Sequence, residues 1–211
     1  MSVIGRRPSW DDASIPCDPW SRGYSVLELV FVVGLILTLT TVTVPNMLMA
    51  LDDYRAAGAA RYLSARLQRT RMEAVSRSCA VALRFNRPAA GQYEFAMYVD
   101  SNHNGVLTTE IVRGIDRALG PAESLADNFA GVEFGALPGL PSPEPGGTPP
   151  GDDPIRLGTA NSATFTAIGT STPGSLYVRS RTAQYVIRIF GETGKTRVLK
   201  FNTRTRQWEH L

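Results

Sequence analysis

One uninterrupted apolar run lies near the start of the chain. No charged residue occurs among the 23 residues from Leu29 to Leu51. As a helix that rises about 1.5 Å per residue, this run spans roughly 35 Å, enough to cross the hydrocarbon core of a bilayer. Inside lipid the backbone must satisfy its own hydrogen bonds, and a helix does so even for the β-branched stretch before Pro45. The pattern predicts a transmembrane helix over 24–51, kinked near Pro45.

An amphipathic pattern follows the apolar run. The segment from Asn46 to Arg77 contains no proline, one glycine and many alanines and arginines. Apolar positions recur every three or four residues, at Leu51, Tyr54, Gly58, Tyr62 and Ala65. This spacing predicts that the helix continues to Arg77 and packs that stripe against a sheet, while its arginines are solvated.

Alternating apolar and polar residues predict strands after the helix. Segments 79–86 and 92–100 alternate and are joined by a Pro/Gly turn at 87–91. The other predicted strands are 105–115, a weaker one at 131–137, and short ones at 162–168, 175–181, 183–191 and 196–202. The predicted fold class is α+β, with one long N-terminal helix packed on an antiparallel β domain.

Proline and glycine are concentrated in one segment of the β domain. Residues 136–154 hold seven of the fourteen prolines and four glycines. Such a composition is incompatible with regular helix or strand. We therefore expect a disordered surface insertion between strands.

Positive charge is concentrated at the C-terminal end. The formal net charge of the chain is only +3, yet Tyr177 to Leu211 carry eight Arg or Lys and two Glu. Aromatic residues are interleaved with them, a combination that suits sequence-independent binding of nucleic acid. The candidate DNA-binding residues are Lys195, Arg197, Lys200, Arg204 and Arg206. The alternative is that they are ordinary solvated positions on strands.

The chain lacks the residue patterns of common catalytic sites. Cys17 and Cys79 are the two cysteines, and His103 and His210 the two histidines. No nucleophile with a nearby base and no zinc-ligand spacing can be recognised among them. We expect a protein that is not an enzyme.

One loop has the beginning of a calcium-binding pattern. Asp100, Asn102 and Asn104 alternate and are followed by Gly105. The twelfth position of the loop, which should be acidic, is Ile111. The pattern favours an Asx-rich hairpin turn, with weak calcium binding by Asp100, Asn102 and Asn104 as the alternative. No other cofactor is expected.

The start of the apolar run carries a resemblance to a known family. The sequence Gly23-Tyr24-Ser25-Val26-Leu27-Glu28 and the apolar helix after it resemble the type III signal of type IV prepilins and type II secretion pseudopilins. The resemblance implies that a prepilin peptidase removes the leader 1–23 by cutting after Gly23, and then N-methylates Tyr24. It also implies a cytoplasmic N-terminus, an inner-membrane helix at 24–51 and a periplasmic domain at 52–211. The arginines that follow Leu51 would favour the opposite orientation by the positive-inside rule.

The resemblance also implies a role for Glu28, the fifth residue after the cut. In this family that carboxylate pairs with the amino terminus of a neighbouring subunit in the filament. A carboxylate in apolar surroundings costs several kcal/mol unless it is paired, so pairing would fix the register of packed helices. The alternative is a plain N-terminal anchor, in which Glu28 only favours the positive end of the helix dipole.

The order of elements resembles the GspH/FimT branch of the pseudopilins. This implies a minor pseudopilin, a structural subunit of the type II secretion pseudopilus that takes part in protein export across the outer membrane. Its partners would be the prepilin peptidase, the other major and minor pseudopilins, and the inner-membrane secretion platform. Gly194-Lys195-Thr196-Arg197 is similar to an element of DNA-binding minor type IV pilins. A minor type IV pilin that binds DNA during natural transformation is therefore the alternative function.

Overall fold

The computed structural model describes residues 23–88 and 91–211. The predicted leader, apart from Gly23, lies outside the described residues, as does Cys17. The chain divides into two compact units at Val44. The described part of the first unit is helix with exposed side chains, and the second unit, Pro45–Leu211, contains the β domain.

The helix predicted over 24–77 forms one continuous element. Helix α1 comprises Val26–Arg77, and Pro45 lies inside it. The strands are β1 (Val81–Asn86), β2 (Glu94–Val99), β3 (Arg117–Ala118), β4 (Glu123–Ser124), β5 (Glu133–Phe134), β6 (Ile155–Arg156), β7 (Ser162–Phe165), β8 (Gly174–Arg179), β9 (Gln184–Ile189), β10 (Thr196–Asn202) and β11 (Gln207–His210). Two short helices are α2 (Thr108–Arg113) and α3 (Leu125–Asn128).

The strands form two antiparallel sheets. Sheet A has the order β3-β2-β1-β7, with β4 also paired to β2. Sheet B has the order β11-β10-β9-β8-β5, with β6 also paired to β8. A long N-terminal helix packed on antiparallel sheets is the predicted α+β class, which is confirmed.

One core joins the helix to the inner faces of both sheets. Residues from α1, from β1, β2 and β7 of sheet A, and from β8 and β9 of sheet B all belong to it. The predicted apolar stripe of α1 is correct only in part: Gly58 and Tyr62 pack against the domain, whereas Tyr54 is 77% exposed and Ala65 is also exposed. The residues that the helix buries are Ala56, Ala57, Ala59, Ala60, Leu63, Leu67, Thr70 and Ala74. Small side chains dominate this face, which lets the sheets pack close to the helix axis.

The strand predicted over 105–115 is also wrong, because helix α2 occupies Thr108–Arg113. Local hydrogen bonds favour the helical conformation. The Asp116 carboxylate accepts the Leu107 N–H at 2.9 Å, and Gly114 ends the helix in the left-handed region. An αL residue after the last turn is the common way to end a helix.

The proline-rich segment 136–154 has no helix or strand, but it differs from the predicted disorder. Its side chains and carbonyls are held on the outer face of sheet B. Leu140 is buried there with Tyr177 and Phe201, and Glu144 forms a bidentate pair with Arg188 at 2.6 and 2.9 Å. A buried anchor and an ion pair order an irregular segment without regular backbone hydrogen bonding.

Candidate functional site

The chain segment with the predicted processing site is exposed at the start of α1. Gly23, Tyr24 and Ser25 precede the helix and are exposed. The Ser25 hydroxyl accepts the Leu27 N–H at 3.3 Å, which satisfies one of the free donors of the first turn. Glu28 lies in that first turn and is also exposed. A protease could therefore reach the Gly23–Tyr24 bond without unfolding any described element.

The apolar part of α1 has no protein cover. The large apolar side chains of 26–51 are exposed, including Phe31 at 72% and Leu37 at 62%. Among the described residues, α1 is the one helix long and apolar enough to cross a membrane, judged by length and composition. Water is a poor environment for such a surface, so this segment requires lipid or other apolar helices around it.

Directly after the apolar run in the sequence, an aspartate links the helix to sheet B. Asp53 accepts the Tyr185 hydroxyl at 2.7 Å and the Lys200 ammonium at 2.7 Å. Burial, and then the bond to this carboxylate, raise the pKa of the Tyr185 phenol, which therefore stays protonated as a donor. Asp52 is closest to Arg181, at 3.5 Å. The helix is thus fixed to two strands directly after the last apolar residue.

A second polar contact links the helix to sheet A. Glu123 accepts hydrogen bonds from the Tyr62 hydroxyl and from the Arg66 guanidinium. The bond to Glu123 is the main cause that raises the pKa of Tyr62, and burial adds to it. Farther along the helix, Ser64 and Gln68 bond to the Thr196 hydroxyl at 2.7 and 3.1 Å.

We predict that Asp53→Ala destabilises the β domain by about 1–3 kcal/mol, because it leaves the buried Tyr185 hydroxyl without its acceptor. The matched control is Asp52→Ala. The Oδ2 atom of Asp52 is buried without a hydrogen-bond partner, and Arg181, with which Asp52 forms an ion pair, is exposed. We therefore expect this substitution to change the free energy of unfolding by less than about 1 kcal/mol. Urea unfolding of the full chain in mild detergent measures both. Equal effects would contradict the role of Asp53.

The structure does not bring the five predicted DNA-binding residues together. Lys195 and Arg197 are exposed at the start of β10, where the Arg197 guanidinium lies 5.3 Å from the Phe190 ring centroid. Lys200 is on the opposite face of that strand and is paired with Asp53. Arg204 and Arg206 are exposed in the turn at the other end of β10. Lys195 and Arg197 therefore share one surface, and Lys200, Arg204 and Arg206 lie toward the other end of the strand.

The loop that begins at Asp100, for which an Asx-rich turn is predicted and calcium binding is the alternative, is held by hydrogen bonds among its own groups. The buried Asp100 carboxylate accepts the N–H groups of His103 and Gly105, each at 2.7 Å. The side-chain amides of Asn102 and Asn104 donate to the two oxygens of Glu110, at 3.1 and 2.8 Å. Within 23–88 and 91–211, no group of three or more His, Cys, Asp or Glu is arranged to hold a metal ion.

We predict that millimolar calcium leaves the melting temperature of the full chain unchanged, because the loop oxygens already accept hydrogen bonds from the protein itself. Thermal unfolding with calcium, with magnesium and with chelator tests this. A calcium-specific rise in Tm that Asn104→Ala abolishes would instead establish the calcium site at Asp100, Asn102 and Asn104.

Comparison with known proteins identifies the family. Residues 59–193, more than half of the chain, match the family model of Type II transport protein GspH. The chain belongs to the GspH family, the minor pseudopilins of type II secretion. As such it is a structural subunit and not an enzyme. The match begins inside α1, at residue 59, and does not include residues 23–58.

One solved structure is similar to this pseudopilin at low identity. It is the minor pseudopilin EpsH from the Type 2 Secretion System of Vibrio cholerae, with 14% sequence identity and a TM-score of 0.42. The similarity covers 69% of this chain and 97% of that chain. No curated protein matches the chain.

The residues that hold this pseudopilin's helix on its sheets were missed in the sequence. Asp53 lies in the polar flank of the membrane helix, and Glu123 follows no recognisable motif. One signal was available, since Asp52 and Asp53 directly follow 23 uncharged residues. Acidic residues at a point where a helix must meet a sheet with basic strands are natural pairing partners.

Proposed function

We propose that the chain is an inner-membrane precursor that a prepilin peptidase processes after Gly23 and that assembles into the periplasmic pseudopilus of a type II secretion system. The observation that carries the proposal is the exposed helix 26–51, in which Glu28 is the only charged residue. This helix lies on a chain whose family serves type II secretion. Apolar helices from several subunits would cover one another, and the β domain would face outward to other subunits.

The carboxylate of Glu28 supports assembly rather than simple anchoring. It is exposed on a helix whose neighbouring side chains are all apolar, so packing such helices together would bury it. A buried carboxylate needs a cationic partner. The amino group that cleavage would create at Tyr24 is such a cation, and a neighbouring subunit would supply it. Methylation of that amino group would leave its positive charge intact.

Processing and assembly can be tested in cells that carry the secretion system. The gene is deleted and replaced by the wild-type chain or by Gly23→Glu, which blocks the cut by filling the position before the scissile bond. We expect wild-type protein to lose residues 1–23, to form crosslinks with other pseudopilins and to restore export of secreted proteins. The uncut variant should stay in the membrane without crosslinks. Full export without the chain would contradict the proposal.

DNA binding for natural transformation stays a prediction. The supporting feature is the exposed pair Lys195 and Arg197 beside the ring of Phe190, which offers cations and a stacking surface together. A gel shift of the full chain in detergent with duplex DNA, at two salt concentrations, tests it. Salt-sensitive binding that Lys195→Ala/Arg197→Ala removes would establish the alternative. No shift at low salt would eliminate it.

A further inference from the structure

Two turns of sheet B carry arginines without any acidic residue. They are residues 180–183, between β8 and β9, and residues 203–206, between β10 and β11; we call them the basic turns. Their cations are Arg181, Arg204 and Arg206, and all three are exposed. The Arg181 side chain is 80% exposed. No carboxylate in the described residues forms an ion pair with Arg204 or Arg206.

Contacts with α1 show at which end of the sheet the turn 203–206 lies. Thr196, at the start of β10, bonds to Ser64 and Gln68 of the helix. Four residues later, Lys200 bonds to Asp53. Strand β10 therefore runs along the helix toward Pro45, and the turn that follows it lies beyond Lys200 in the same direction.

The turn 180–183 lies at the same end. Tyr185, at the start of β9, donates its hydroxyl to Asp53, and Arg181 lies 3.5 Å from Asp52. At the other end of β9 and β10, the Gly194 carbonyl accepts the Gln68 amide at 3.4 Å. The basic turns are thus beside helix residues 52–53, and the turn at 191–195 is several helical turns away.

Residues 52–53 are where the chain would leave the bilayer. Met47, Leu48 and Leu51 are apolar and exposed, and Asp52 is the first charged residue after Glu28. Headgroups extend several Å outward from the hydrocarbon boundary. Side chains that contact residues 52–53 therefore lie at the level of the lipid headgroups when the helix spans a membrane.

We propose that the basic turns bind the phosphate groups of anionic lipids on the face of the membrane from which the β domain emerges. The inference rests on insertion of the apolar helix, which is part of the proposed function. Between the turns lies a cleft of about 390 Å³ lined by Lys200, Thr203 and Arg204. Asp53 and Glu209 also line it, but Lys200 and Asn202 engage them. Arg181 forms an ion pair with Asp52 at 3.5 Å, and Arg206 donates to the Gly139 carbonyl at 3.3 Å, but all three arginines are exposed and accessible to an external anion as well.

This surface fits lipid better than nucleic acid. A duplex would have to approach the turns along the membrane plane, against the negative charge of the lipid phosphates. The exposed pair Lys195 and Arg197, which suits DNA, is at the other end of β10.

Hydrogen exchange of the full chain in nanodiscs tests the proposal. One set of nanodiscs contains phosphatidylcholine alone, and the other adds phosphatidylglycerol. At about 1 kcal/mol per arginine, we expect the amides of 180–183, which has one arginine, to exchange about five-fold more slowly with anionic lipid. Those of 203–206, which has two arginines, should exchange about 30-fold more slowly. Peptides of the turn 191–195 serve as the internal control and should not change. The difference should shrink when salt is raised from about 50 mM to about 500 mM.

The test variant is Arg181→Gln/Arg204→Gln/Arg206→Gln, and the matched control is Lys195→Gln/Arg197→Gln at the far end of β10. We expect the test variant alone to lose the lipid-dependent slowing, while exchange within β9 shows that it is folded. If the wild-type chain is incorporated into nanodiscs but its hydrogen exchange does not depend on the lipid, this inference is overturned and the proposed function stands. Failure to incorporate overturns both. Slowing of the basic turns by duplex DNA but not by anionic lipid overturns the lipid assignment in favour of nucleic acid.

Discussion

Glu28→Gln is expected to reduce recovery of the chain in complex with other pseudopilins by roughly 10²- to 4 × 10³-fold, because removing one partner of a buried ion pair costs about 3–5 kcal/mol. The substitution keeps the size and shape of the side chain, so helix packing is otherwise unchanged. The measurement is the amount of chain crosslinked to other pseudopilins in membranes, normalised to the amount present. Membrane insertion itself should not change, because a neutral side chain enters lipid more readily.

A matched variant separates this role from that of a helix-start residue. Ser25→Ala removes the cap that accepts the Leu27 N–H, and costs about 1 kcal/mol of helix stability. If Glu28 merely favours the helix dipole, its neutralisation costs about 0.3–1 kcal/mol, and the two variants should be similar. Comparable crosslinking of both variants would therefore refute the register role of Glu28.

Leu67→Ala is expected to destabilise the β domain by about 2–5 kcal/mol. Leu67 is completely buried where α1 meets the sheets, and truncation leaves a cavity among close-packed neighbours. The loss is a large part of the stability of an ordinary domain. Urea unfolding of the full chain in mild detergent, followed by circular dichroism, measures it. The same variant should also lower export, since a partly unfolded subunit is degraded.

Tyr54→Ala is the control on the same helix. Tyr54 belongs to the stripe that the sequence pattern favours, but it is 77% exposed. We therefore expect its truncation to change the free energy of unfolding by no more than about 0.5 kcal/mol. The pair of variants thus distinguishes the two possible buried faces of the helix. A larger effect at Tyr54 than at Leu67 would show that the predicted stripe is the packed one.

Local patterns were sufficient for the long helix and for the strands that lie inside hairpins. In β8, the apolar residues Leu176, Tyr177 and Val178 are consecutive because both faces of the strand are buried, one in the core and the other under the segment 136–154. The buried face of α1 was harder to predict. Its alanines are weakly apolar, and tyrosines such as Tyr54 gave a stronger signal, although a large ring does not fit where sheets approach closely.

The remaining errors share a cause that lies outside local patterns. The short helix α2 depends on Asp116, whose carboxylate accepts the N–H group of Leu107 across the helix, nine residues earlier. Order in 136–154 depends on Glu144 meeting Arg188, far along the chain. The predicted DNA surface is split because Lys200 meets Asp53. Each is a tertiary pairing of charged or polar side chains, which a single sequence does not reveal.

The order of strands in the two sheets has a consequence for how the chain folds. Strands β8 to β11 of sheet B are consecutive neighbours, so each pairing closes only a short loop. Sheet A is different, because Val81 of β1 pairs with Phe165 of β7 across most of the domain. Closing a long loop costs more entropy and is slower. We therefore expect the edge of β1 that faces β7 to pair last, and the folding chain to be most exposed to wrong strand pairing there.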